Sequence, residues 1–114
     1  MSLYIKDSIV ALATPRGIGA LSVIRVSGEG LEELFLKLTC IKSPKSRYAY
    51  YSKLLSEKGG LIDRVVILFF KAPYSYTGED VIEISCHGGG AVVNQIINKV
   101  SNFFSRPIPM GRLI

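Results

Sequence analysis

Residues 62–90 read IDRVVILFFKAPYSYTGEDVIEISCHGGG, and the fold turns on how this stretch is divided. Ile62–Phe70 is its most continuously apolar part and reads as a strand buried on both sides, the expected centre of a sheet. Lys71–Asp80 is a long polar connection, and Val81–Cys86 is a second, shorter strand. His87 and three glycines then lead into a helix, with Val93, Ile96, Ile97, Val100 and Phe103 or Phe104 on one stripe.

Working backwards, Glu57–Gly60 is a turn, so Tyr48–Leu55 forms a hairpin with the apolar strand. Residues 40–47 form a basic linker containing Pro44. Before it, Leu31, Leu34, Phe35 and Leu38 repeat at helical spacing. Ser27 or Gly28 is the expected cap, and Glu29, Glu32 and Glu33 suit the helix start electrostatically. Ser8–Ala13 and Ala20–Val26 read as two more strands, joined by the turn-rich Thr14–Gly19. The order β-β-α-β-β-β-α does not alternate regularly. It predicts an α+β fold, a mixed sheet with both helices on one face.

The chain has 114 residues, the size of one domain with one core. At 48% hydrophobic and 20% charged residues it has the composition of a folded globular domain, which argues against disorder. Its apolar runs are far too short for a membrane helix, and Lys6 and Asp7 interrupt any secretory signal. A nucleotide-hydrolysing domain takes about 150 residues or more, which leaves no room for one here. No Gly-x-x-x-x-Gly-Lys-Ser/Thr occurs, and Gly17-x-Gly19 lacks the remainder of a dinucleotide fingerprint. Cys40 and Cys86 have no metal-ligand spacing, and with one histidine they read as two buried free thiols of a cytoplasmic protein.

The net charge is +5, spread over both halves of the chain. Its one cluster is Lys37, Lys42, Lys45, Arg47 and Lys53. Residues 37–53 are either an RNA-facing basic patch or a solvated helix end and loop. Arg25 and Glu83 stand out because each is a charge inside a strand, which is costly unless paired. They either face solvent or pair with one another, or they meet a polar ligand. A carboxylate can accept two parallel donors, and an arginine fork can bind a carboxylate. Gly88–Gly90 marks a tight strand-to-helix turn or a backbone that binds an anion. His87 has no legible nucleophile arrangement around it, so no catalytic residue is assigned.

Two stretches carry a resemblance. Ile9–Gly28, IVALATPRGIGALSVIRVSG, and Lys71–Gly89, KAPYSYTGEDVIEISCHGG, resemble the start of the MnmE (TrmE) family of tRNA-modification GTPases. The family pattern A-P-x-S-[YF]-T-G-E-D-x-x-E-x-x-x-H-G-G is met at every defined position from Ala72 to Gly89. The likeness runs from about residue 7 to about residue 106 and concerns the family's N-terminal domain. It implies a folate-binding module similar to that of the glycine-cleavage T-protein, which would make residues 1–114 a tetrahydrofolate-binding and dimerisation domain. The implied ligand is 5-formyl- or 5,10-methylene-tetrahydrofolate. The resemblance places the folate-contacting arginine at Arg25 and the glutamate at Glu83, with Tyr74, Tyr76, Gly88 and Gly89 lining the pocket. It further implies a homodimer, a MnmG-like FAD-dependent partner, and C5 modification of wobble uridines in tRNA. GTP, Mg and K would belong to a domain outside this chain. Arg106–Ile114 departs from the family pattern, and a folate-contacting lysine of the family would lie beyond it.

Overall fold

The computed structural model describes residues 9–12 and 21–104. Its elements are β1 (Ile9–Leu12), β2 (Leu21–Gly28), α1 (Glu32–Thr39), β3 (Tyr50–Leu55), β4 (Leu61–Phe70), β5 (Asp80–His87) and α2 (Gly90–Phe103). The α+β class and the element order are those expected. The five strands form one sheet in the order β1-β2-β5-β4-β3, and every ladder is antiparallel. The Thr14–Gly19 turn and Arg106–Ile114 lie outside the described residues.

Period-two alternation explains the layering. Ile24 and Val26 of β2, Ile82, Ile84 and Cys86 of β5, and Val65, Ile67 and Phe69 of β4 point to one side and are buried. Leu34, Phe35 and Leu38 of α1 and Val93, Ile96 and Val100 of α2 close over them in the same core cluster. Phe35 packs edge-on against both Phe69 (5.9 Å) and Tyr50 (5.8 Å). Both helices thus cover one sheet face.

The centre of the sheet differs from expectation. It is β5, not the more apolar β4, which lies between β5 and the edge strand β3. The strand reads as continuously apolar because Val66, Leu68 and Phe70 occupy its other side, where they stay partly exposed. The central strand puts Glu83 and Ser85 on that side and so reads as less apolar.

Three local expectations are also corrected. β2 does not stop at Val26 but runs on through Ser27 and Gly28, and neither residue caps α1. They continue the ladder opposite Val81 and Asp80. The helix begins after Leu31 with no side-chain cap of its own. Instead the buried carboxylate of Asp80, 49 residues away in sequence, accepts the Leu31 N–H through Oδ2 at 3.1 Å. An anion at that end also suits the helix dipole. Cys40 is exposed, not buried. It ends α1 in the left-handed region (φ 64°), donating its N–H to Leu36 O at 2.7 Å. Cys86 is buried as expected, and burial together with the nearby Asp63 charge pushes its thiol up to about 11, which makes it a poor nucleophile.

Candidate functional site on the uncovered sheet face

Opposite the helices, the middle of the sheet carries an ion pair. Arg25 and Glu83 are directly paired across β2 and β5, and Arg25 Nε donates to Glu83 Oε2 at 2.9 Å. Their side chains are only 20% and 17% exposed. The two charges singled out in the sequence therefore meet each other. The Tyr76 ring lies over the guanidinium, with Arg25 Cζ 4.6 Å from the ring centroid. Phe70 meets Tyr76 edge-on at 5.6 Å.

Tyr76 is set there by the 71–80 loop, which its own polar side chains fold. Ser75 Oγ donates to Glu79 O and accepts the Gly78 N–H at 3.0 Å. Gly78 sits at φ +83°, which favours glycine. Ser27 Oγ donates to Glu79 Oε1 at 2.9 Å, so Thr77 Oγ1 must be the donor in its 2.6 Å contact with Ser27 Oγ. Asp80 Oδ1 accepts the Ala72 N–H at 2.9 Å. Ser75, Thr77, Gly78, Glu79 and Asp80 are thereby occupied in building the loop. Tyr74 and Tyr76 are left facing outwards, 74% and 66% exposed. Beside them opens a cleft of about 420 Å³, lined by Arg47, Phe70, Pro73, Tyr74, Ser75 and Tyr76.

The structure thus brings Arg25, Glu83 and Tyr76 together. Gly88 and Gly89 lie beyond the opposite end of β5, five and six residues past Glu83 and away from the Tyr76 loop. Gly89, at φ +123°, is the residue before α2, where the chain turns into the helix. His87 is tied down next to it. Its main-chain N–H donates to Asp63 Oδ2 and its ring Nδ1 lies against Oδ1, each at 2.8 Å. Burial works against ionisation of Asp63, but the hydrogen bonds from His87 and the Arg64 N–H outweigh it and hold the carboxyl below its ordinary range. His87 therefore anchors the strand end.

Two members of the basic cluster line separate hollows. Lys37 joins Lys99 in a cavity of about 650 Å³ on the helical side, whereas Arg47 lines the tyrosine cleft. Lys45 stacks over Tyr48 at 5.6 Å. Sequence reasoning missed Asp80 as the clamp and Arg47 as a cleft residue. Asp80 was visible only as part of the motif, and Arg47 only as one base among five.

Fold and site together define an antiparallel α+β domain with one sheet face packed by helices and the other, among the described residues, carrying an ion pair, aromatic rings and aliphatic side chains. Comparison with known proteins makes this particular. The family described as GTP-binding protein TrmE N-terminus matches residues 8–111, and the chain belongs to that family. It is 41% identical over 104 residues to the tRNA modification GTPase MnmE of Aliarcobacter butzleri, covering 91% of this chain and 23% of that protein. Its likeness to the protein of the same name from Francisella tularensis subsp. holarctica is 44% over 109 residues, 96% and 24% of the two chains. The corresponding figures for Helicobacter pylori are 41% over 110 residues, 96% and 24%. The chain spans about a quarter of the length of the curated relatives it matches.

Proposed function

We propose that residues 1–114 act as the N-terminal, dimer-forming domain of a tRNA-modification GTPase, and that the uncovered sheet face binds a tetrahydrofolate one-carbon carrier. The observation that carries this reading is Arg25, held between the Glu83 carboxylate and the Tyr76 ring. Those groups fit a pterin. A carboxylate has about four acceptor sites, so its contact with Arg25 leaves capacity for the donor edge of an aminopyrimidinone. An exposed tyrosine offers a face on which a flat ring can stack. Arg25 orients the carboxylate and adds positive charge for an anionic ligand. When bound, the carrier supplies a one-carbon unit at the oxidation level it holds; the residues of this chain bind and orient it.

The reading extends to the whole protein. With an FAD-dependent MnmG-like partner it would modify C5 of wobble uridines in tRNA, with GTP, Mg and K used outside this chain. Dimerisation draws support from the apolar groups on the uncovered face, where Tyr51 is 72% and Val66 39% exposed. Among the described residues no helix is long and apolar enough to cross a membrane. The test is calorimetric titration with 5-formyltetrahydrofolate. Wild type should bind, and Glu83→Ala should lose at least tenfold in affinity while keeping its fold. A folded wild type that gives no binding heat overturns the ligand assignment.

A further inference from the structure

The cleft beside Tyr76 ends in a positive charge that the ion pair does not use. Arg47 lines it together with Phe70, Tyr74 and Tyr76, and no lining residue is acidic. Among the described residues the Arg47 side chain makes no ion pair, yet its main chain is firmly placed. The Arg47 N–H donates to Phe69 O at 2.7 Å, and the neighbouring Ser46 Oγ accepts the Lys71 N–H at 3.0 Å. These bonds tie the 40–49 segment to the end of β4. Arg47 itself sits at φ 65°, a backbone conformation that costs a non-glycine residue energy and persists only where its surroundings enforce it. The result is a guanidinium on a fixed turn, lining an aromatic cleft and with no carboxylate partner among the described residues.

Tyr76 stands between this cleft and the ion pair, neither member of which lines the cleft. One arginine, Arg25, lies over its ring, Phe70 meets its edge, and the second arginine lines the hollow that the same ring walls. A ligand whose ring system rests at Glu83 and whose chain runs past Tyr76 would deliver an anionic end to Arg47. A guanidinium is suited to receive a carboxylate through two parallel hydrogen bonds. We propose that Arg47 is the tail-binding residue of the site, taking a carboxylate of the glutamyl chain of the folate. This rests on the folate reading above and names a specificity-determining residue within it. The cleft volume, about 420 Å³, lies in the range of small-molecule sites.

Calorimetric titration of the full chain with two ligands separates the possibilities: 5-formyltetrahydrofolate and a reduced pterin lacking the aminobenzoyl-glutamate tail. Arg47 is exposed, so Arg47→Gln should melt like wild type. The variant is expected to bind the folate at least tenfold more weakly and the tail-less pterin unchanged, with partial recovery in Arg47→Lys. Glu83→Ala should lose both ligands. Wild-type folate affinity in Arg47→Gln, alongside loss in Glu83→Ala, overturns the tail assignment and leaves the folate reading standing. A wild type that binds neither ligand overturns both. Salt-dependent binding of a single-stranded oligoribonucleotide that is lost in Arg47→Gln while folate affinity is unchanged would show the cleft to be an RNA contact and overturn the assignment.

Discussion

The two faces of the sheet are built from alternate residues of the same strands and behave differently. Toward the helices, Ile24, Val26, Val65, Ile67, Phe69, Ile82 and Ile84 are essentially inaccessible to water. Toward the other side, Val23, Arg25, Val66, Leu68, Phe70, Glu83 and Ser85 stay half-buried or exposed, while Ala11, Ser27 and Val81 are buried there. The helix-packed face supplies the hydrophobic stabilisation. The opposite face keeps two charges and several apolar groups partly exposed and so gives up part of that burial.

The sharpest test of this contrast lies on the helical side. Phe35→Ala removes a ring packed on Phe69 and Tyr50 and should cost about 3–5 kcal/mol in urea unfolding. A loss below about 1 kcal/mol would mean that α1 is not integral to the core. Next comes Asp80→Ala, which leaves the Leu31 and Ala72 N–H groups without their acceptor. It should cost about 2–3 kcal/mol and should also weaken ligand binding, because the loop that carries Tyr76 loosens. Glu83→Ala, on the face opposite the helices, should cost about 2 kcal/mol in stability, because it takes the Glu83 carboxylate from a mostly buried Arg25, and should abolish most folate affinity. A larger stability loss without an affinity change would make the ion pair purely structural.

A fourth test concerns acid. Asp63 titrates below the ordinary carboxylate range, so its charged form binds its partners better in the folded chain than in the unfolded one. Its contribution is therefore complete above the unfolded-state value, near pH 4, and is lost as pH falls through the lowered folded value. Thermal midpoints measured from pH 7 to pH 3 should fall less steeply in Asp63→Asn than in wild type. The smallest stability effect is expected at Tyr51→Lys, within about 0.5 kcal/mol for the monomer. Light scattering across a concentration series should show its dimer weakened if this face joins two copies.

Local periodicity made much of the architecture legible. The Leu31, Leu34, Phe35, Leu38 stripe, the α2 stripe and the 57–60 turn all appear where spacing alone put them. Strand order was harder, because it is set by partners far apart in sequence. A run apolar on both sides, such as Val65–Phe70, does not reveal that one of its sides is left uncovered. The Asp80 clamp was invisible for the same reason, since its partner Leu31 lies 49 positions away. Arg25 and Glu83 were recognisable as misplaced charges, but their pairing follows from register. Arg47 was hidden by its basic neighbours, and only the fold separates it from Lys37.

The Asp80 clamp has one more consequence. One carboxylate grips the first turn of α1 with one oxygen and the start of the tyrosine-bearing loop with the other. The loop lies over the face opposite the helices and the helix over the packed face, so Asp80 works as a rivet through the end of the sheet's central strand. A single substitution at Asp80 therefore loosens a turn in each layer at once, the start of α1 and the start of the tyrosine loop.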